Sequence, residues 1–200
     1  YYNDIGILLE SGGDPSQSVP SNSLDYFTPR GGNVIFNNRI GDEDKGNEIG
    51  IKLVGDASRN RIGGKGEFEA NLINFNSQAG IQVDGVSHSR PDVANRIIGN
   101  EIKGTGSSLS NPSDARDGLL EGAGIHLLNG TSNQIIGGYD PGEGNRISQG
   151  VVGIGLEDAH DNIIIGNDIG GYTVSGFPNS TFLQNQQAGL LLSDSTGNRI

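Results

Sequence analysis

One short pattern, a Gly followed by an aliphatic residue, any residue and a second aliphatic, recurs six times in the 200 residues of this chain. It stands at Gly6-Ile7-Leu8-Leu9, Gly50-Ile51-Lys52-Leu53, Gly80-Ile81-Gln82-Val83, Gly124-Ile125-His126-Leu127, Gly153-Ile154-Gly155-Leu156 and Gly189-Leu190-Leu191-Leu192. Repetition on this scale marks a solenoid, in which each copy is one structural unit stacked on the last. An Asn then opens an Asn-x-Ile or Asn-x-Val strand, at Asn33, Asn60, Asn95, Asn133, Asn162 and Asn198, which lie 27, 10, 15, 9, 9 and 9 residues after the Gly. A second Asn follows at a distance that alternates. It is five residues on from Asn33 to Asn38, Asn95 to Asn100 and Asn162 to Asn167, but a Gly-Gly turn stretches it to 11 from Asn60 to Asn71 and 12 from Asn133 to Asn145. The repeating unit is therefore a pair of coils.

Residues two apart on a strand face the same side. Ile7, Ile51, Ile81, Ile125, Ile154 and Leu190 thus form one interior column, and Leu9, Leu53, Val83, Leu127, Leu156 and Leu192 a second. Between them Leu8, Lys52, Gln82, His126, Gly155 and Leu191 share no chemistry, which predicts an outward column where His126→Ala is silent. Asn tolerates the left-handed turn conformation, and stacked amides can hydrogen-bond along the rod as an asparagine ladder. Six coils of three short strands, at ~4.8 Å between strands, make a rod roughly 25 to 30 Å long.

The chain has 34 Gly, 7 Pro and no Cys, a composition of short strands and tight turns that excludes disulfides, thiol nucleophiles and Cys-bound metals. A net charge of −11 argues against nucleic acid and against an anionic membrane surface. No signal peptide, lipidation motif or apolar run long enough to insert in a membrane is visible. Residues 1–200 read as a single β-helix segment with loop excursions at 11–32, 103–122 and 170–187. Neither end looks like a polar cap, so the segment is expected to belong to a longer chain, or to assemble with neighbouring coils or subunits.

The units Asn-x-Ile-Gly-Gly and Gly-Asn-x-Ile resemble those of right-handed parallel β-helix repeat proteins of the pectin-lyase-like superfamily, especially repeat segments of large secreted bacterial surface proteins. The resemblance covers essentially the whole chain. It implies an all-β, right-handed parallel β-helix at the bacterial cell surface or outside the cell, acting as a structural or adhesive scaffold. Such a scaffold would present loops to a polysaccharide or another surface protein. The superfamily also holds polysaccharide lyases, hydrolases and epimerases, so the alternatives are a polysaccharide-active enzyme or a non-catalytic carbohydrate-binding module, and the fold does not choose among them.

In a solenoid, function lies on outward columns and on loops that leave the turns. For catalysis the best constellation is Glu10, Asp84 and Glu157, each four residues after its Gly, with His126 on an intervening coil. Carboxylates two coils apart lie near ~10 Å, at the upper edge of what inverting glycoside hydrolysis uses. His160, in Asp158-Ala159-His160-Asp161, occupies a turn position shared by Ser58, Thr131 and Thr196. Tyr26, Phe27, Tyr172, Phe177 and Phe182 on the excursions are the candidate ligand-binding residues, because rings beside amides stack on sugars; the plainer reading is that they pin loops to the rod. Phe68 and Tyr139 sit on the Gly-Gly turns. The sequence calls for no cofactor, with Ca²⁺ the one candidate ion: Asp42, Asp44 and Glu48 are its candidate ligands, with Asp140 and Glu143 as a second acidic turn, and for both the plainer reading is a solvated turn.

Overall fold

The computed structural model of the chain describes residues 3–12, 32–42, 46–106, 122–171 and 184–200. Its strands form three sheets, all paired in parallel. The long sheet stacks β1 (Ile5–Gly12), β4 (Ile49–Ala57), β7 (Ala79–Asp84), β10 (Ala123–Leu128), β13 (Val152–Glu157) and β16 (Ala188–Ser193). The second stacks β2 (Val34–Ile35), β5 (Arg61–Gly63), β8 (Arg96–Ile98), β11 (Ile135–Gly137) and β14 (Ile163–Ile165). The third stacks β3 (Arg39–Ile40), β6 (Leu72–Asn74), β9 (Glu101–Lys103), β12 (Arg146–Ser148) and β15 (Asp168–Ile169). The chain visits the three sheets in turn, so a strand pairs with the strand three places later. This is a parallel β-helix. A single 3₁₀ turn at Pro91–Val93 is the one helical element among the described residues.

Both aliphatic columns read from the sequence are in register: Ile7 faces Ile51, then Ile81, Ile125, Ile154 and Leu190, and Leu9 leads in the same way to Leu192. The other two sheets each add a column made of Ile alone. Ile35, Ile62, Ile97, Ile136 and Ile164 line the second sheet, and Ile40, Ile73, Ile102, Ile147 and Ile169 the third. A β-branched side chain held in one rotamer packs on its own copy one strand away, and the four columns fuse into one core. The corner from the third sheet to the long sheet is tight. At Gly80 a Cβ would lie 2.6 Å from both the Gly124 carbonyl oxygen and Ile102 Cγ2, and Gly6, Gly50, Gly124 and Gly153 are as crowded, so the Gly that opens these five repeats is a packing requirement.

One expected position is corrected. Arg61 pairs with Arg96, and Arg96 with Ile135, so the partner of Asn60 and Asn95 is Gln134 and not Asn133. Asn133 is displaced into a turn with φ of 55°, and Ile136 rather than Ile135 points inward. With Gln134 as the opening residue the even coils become identical in spacing: Gly124 to Gln134 is 10 residues, as is Gly50 to Asn60, and Gln134 to Asn145 is 11, as is Asn60 to Asn71. Ser132, not Thr131, is then the turn partner of His160.

Amide ladders run along the corners. In the first, the backbone N–H and Nδ2 of Asn33 both donate to Asn60 Oδ1 (2.9 and 3.0 Å), and Asn60 repeats this onto Asn95. Asn95 Nδ2 reaches Gln134 Oε1 at 2.8 Å, and the ladder continues through Asn162 to Asn198. The second links Asn38, Asn71, Asn100, Asn145 and Asn167. A third, which the sequence reading does not contain, joins Asn47 to Asn76 at the corner before the long sheet. These amides satisfy corner backbone groups that the strand ladders leave behind.

The alternation read from the Asn spacing sets where the long connections fall. Residues 41–48, 104–122 and 170–187 all connect the third sheet to the long sheet, after β3, β9 and β15. Those strands occupy alternate places in the third sheet, so the bases of the three connections lie about 10 Å apart. β1 runs on to Gly12 and β9 to Lys103, into segments read as excursion.

Candidate functional site

The outer face of the long sheet carries the residues singled out for chemistry. Lys52, Gln82 and His126 share one column, and Asp84, Leu128 and Glu157 the next. Asp84 is fully engaged: Oδ2 meets Lys52 Nζ at 3.0 Å, and Oδ1 accepts from Asn129 Nδ2 at 2.7 Å. Burial by itself would raise its pKa. The Asn129 hydrogen bond and the Lys52 ammonium outweigh that, and the carboxyl sits below its usual range. Glu157 Oε2 approaches His126 Nε2 to 3.6 Å, longer than a hydrogen bond. Glu10, the fourth member of the expected constellation, is exposed and lies at a register shift between Leu9 and Ser11.

The expected exposed column is wet only at its N-terminal end. Leu8 is exposed, but Gln82 and His126 are 9% and 7% accessible. A second apolar cluster of Ala123, Val151 and Val152 stands apart from the core, and Leu191, in the same column as His126, packs against it. Gln82 and His126 are therefore buried although they face outward, while Lys52, Asp84 and Glu157 on the same face keep solvent contact, and His126→Ala would open a void. Burial pushes the His126 pKa down, against the opposing pull of Glu157 and Asp84, and burial does the same at His88.

These two histidines give the fold a pH dependence of definite sign. The unfolded chain takes up protons near the ordinary His pKa of ~6.5 while the folded chain resists them, so stability is present above that value and is lost as pH falls through it. The urea midpoint of the protein should drop between about pH 7.5 and pH 5.5, and His126→Gln should show a shallower drop. Equal slopes for the two proteins would remove His126 from this account.

An inverting or retaining glycosidase needs one carboxyl raised so that it stays protonated near neutral pH. Asp84 is shifted the other way, and Asp84, Lys52 and Asn129 cross-brace neighbouring coils. His160 is similarly committed: Nδ1 accepts from the Thr196 backbone N–H at 3.2 Å, which leaves the proton on Nε2, 3.0 Å from Asp158 Oδ1. This arrangement ties adjacent turns together.

Three carboxylates of the acidic turns meet cations of the fold. Asp42 pairs with Arg39 (3.0 Å), Asp140 with Lys65 (3.1 Å) and Glu143 with Arg96 (3.2 Å), while Glu48 accepts from Gln78 Nε2 at 3.3 Å. Among the described residues no three His, Cys, Asp or Glu side chains gather to hold a metal ion. Asp44, the other candidate Ca²⁺ ligand, and the candidate ring residues Tyr26, Phe27, Tyr172, Phe177 and Phe182 lie outside the described residues.

A site absent from the sequence reading lies where the second and third sheets meet. The long turns of the even coils, 64–71 and 138–145, flank the tight turn of the coil between them. Gly99 N donates to the Glu143 carbonyl (3.0 Å), and Lys65 reaches across to Asp140. Beside them opens a groove of about 570 Å³ whose walls include Tyr139, Asp140, Glu101, Arg146 and Asp168. Gly99 and Gly166 also line it, with φ of 63° and 68° at the tight turns, where a Cβ would meet the carbonyls of Gly64 and Gly138 on the neighbouring long turns. Glu101, Arg146 and Asp168 are consecutive in register on the outside of the third sheet. The signal for this column was present, since each follows a second-ladder Asn; the signal for the groove was not. No protein-family model matches this chain, and no curated protein or solved structure matches it either.

Proposed function

We propose that this chain is an extracellular or cell-surface scaffold, a β-helix segment of the kind found in secreted bacterial proteins of the pectin-lyase-like superfamily, which presents its loops to a polysaccharide or a surface protein. The observation that carries this reading is the use made of the chemically able side chains. Asp84, Asp140 and Glu143 each meet a cation from another coil, so that groups which could do chemistry instead fasten coil to coil. A column of braces of this sort suits a rod whose task is to hold a shape. The alternation of long and tight corners supports the presenting role, because the bases of the long connections, after β3, β9 and β15, are evenly spaced along the third sheet.

The competing enzymatic reading makes a distinct demand. Incubation with a panel of acidic and neutral polysaccharides, followed by chromatography of the products and by NMR for epimerised sugars, is expected to return every substrate unchanged. Turnover of any of them that disappears in Asp84→Asn or Glu157→Gln would overturn the scaffold reading.

A further inference from the structure

We propose that the groove beside the turn from β11 to β12 is a binding site for a neutral glycan, with the Tyr139 ring as the platform for one sugar residue and Glu101, Arg146 and Asp168 as partners for its hydroxyls. This goes beyond the scaffold reading, which stands whether or not the groove is filled.

Tyr139 is 76% accessible, on a turn that is otherwise pinned. Its neighbour Asp140 is held through its side chain by Lys65 at 3.1 Å and through its backbone N–H by Glu143 Oε2 at 3.3 Å. Glu143 is in turn a nearly buried carboxylate on Arg96, and its carbonyl accepts from Gly99. A large ring is thus left in solvent on a rigid support. It gives up little conformational freedom when a ligand face covers it, which is the property that makes tyrosine effective in binding surfaces.

The rest of the groove decides the ligand class. Its volume of about 570 Å³ is that of an ordinary small-ligand site, enough for one or two sugar rings. Along its wall Glu101, Arg146 and Asp168 alternate acceptor, donor and acceptor at the ~4.8 Å spacing of parallel strands. Such an array suits the hydroxyls of a pyranose, each of which both donates and accepts. The three carboxylates, Glu101, Asp140 and Asp168, are matched by Lys103 on Glu101 (3.5 Å), Lys65 on Asp140 (3.1 Å) and Arg146, so the groove has no surplus of positive charge to hold a uronate, sulfate or phosphate on a chain of net charge −11. A cationic peptide fits less well, because Arg146 sits between the two carboxylates that would receive its ammonium groups.

The test is calorimetric and NMR titration of the intact chain with neutral tetrasaccharides of glucose, mannose, galactose and N-acetylglucosamine, alongside tetragalacturonate and a lysine-rich peptide. We expect at least one neutral tetrasaccharide to bind, with little change when salt is raised. Tyr139→Ala should weaken that binding about tenfold, the loss appropriate to one stacking contact. Phe68→Ala, an exposed ring on the other long turn that does not line the groove, should leave it within about twofold on the same scale. An unchanged melting temperature for both variants verifies that the loss is local, as the exposure of both rings leads one to expect. The proposal is overturned by binding of tetragalacturonate or the peptide alone, by sugar binding indifferent to Tyr139→Ala, or by no binding at all. None of these touches the scaffold reading, whereas degradation of a sugar in the titration cell would sink that one.

Discussion

Ile125→Asp should abolish the cooperative unfolding transition of the rod. Ile125 is completely inaccessible, and its column neighbours Ile81 and Ile154 are equally so. The carboxylate would have aliphatic partners on both sides and no cation within the core, a situation that costs about 4 to 5 kcal/mol or more. A domain of this size has only ~5–15 kcal/mol in total. Position matters as much as chemistry, since β10 is a central strand whose sheet partners are the adjacent coils β7 and β13, so a break there severs the long sheet in the middle of the stack. Far-UV circular dichroism under a urea gradient reads this directly. Ile125→Val, which removes one methylene at the same place, should cost only about 1 kcal/mol. A melting temperature for Ile125→Asp within a few degrees of the parent would show that the column is not the interior.

Asn100→Asp should be nearly as damaging although it changes no volume. Asn100 Nδ2 donates to the carbonyls of Ile62 (2.9 Å) and Ile98 (3.1 Å) and to Asn145 Oδ1 (2.9 Å), while Oδ1 accepts from Asn71 (2.9 Å). Aspartate keeps the acceptor and turns the donor into a second acceptor that faces three oxygens. Leaving buried polar groups unpaired costs roughly 1 to 3 kcal/mol each, and the negative charge adds to it, for an expected loss of ~4 kcal/mol. The sign of the pH dependence discriminates this cause from loosened packing. A carboxyl surrounded by acceptors has its pKa raised in the folded state, so the penalty is full at neutral pH and shrinks as pH falls and the proton returns as a donor. Urea midpoints taken at successively lower pH should therefore converge on the parent, which itself declines with acidification. A gap that stays constant with pH would count against the ladder.

The architecture was legible because a stacked coil repeats its constraints. Gly at a corner, an aliphatic residue directly after it and another two further on, and Asn at the turn recur from coil to coil, so the register of both long-sheet columns could be read without coordinates. Asn133 shows where counting fails. An Asn one residue before the true ladder position satisfied the pattern, whereas counting back from Gly137-Gly138, as from Gly63-Gly64, leads to Gln134. A one-residue slip of this kind exchanges the two faces of a strand, here Ile135 for Ile136. The Asn47–Asn76 ladder was hidden because the connections that precede the long sheet vary in length. Gln82 and His126 were placed on the correct face, but alternation reports which side a residue points to and not whether that side is wet. The groove at Tyr139 depends on turns 75 residues apart, joined by Lys65 and Asp140, and no local pattern encodes that pairing.

The ladders also bear on how the protein ages. Asparagine loses its amide when the backbone nitrogen of the next residue attacks the side-chain carbonyl, which requires that nitrogen to shed its proton and swing toward the amide. In the ladders the nitrogen is already occupied. Arg61 N donates to the Asn33 carbonyl, Arg96 N to Asn60, Leu72 N to Asn38 and Arg146 N to Asn100, all at 2.8 Å. The amide under attack is likewise held by the coils above and below it, so neither partner can rotate into the reactive geometry without opening the stack. Deamidation at these positions must therefore wait for local unfolding, and its rate becomes a measure of how often neighbouring coils separate.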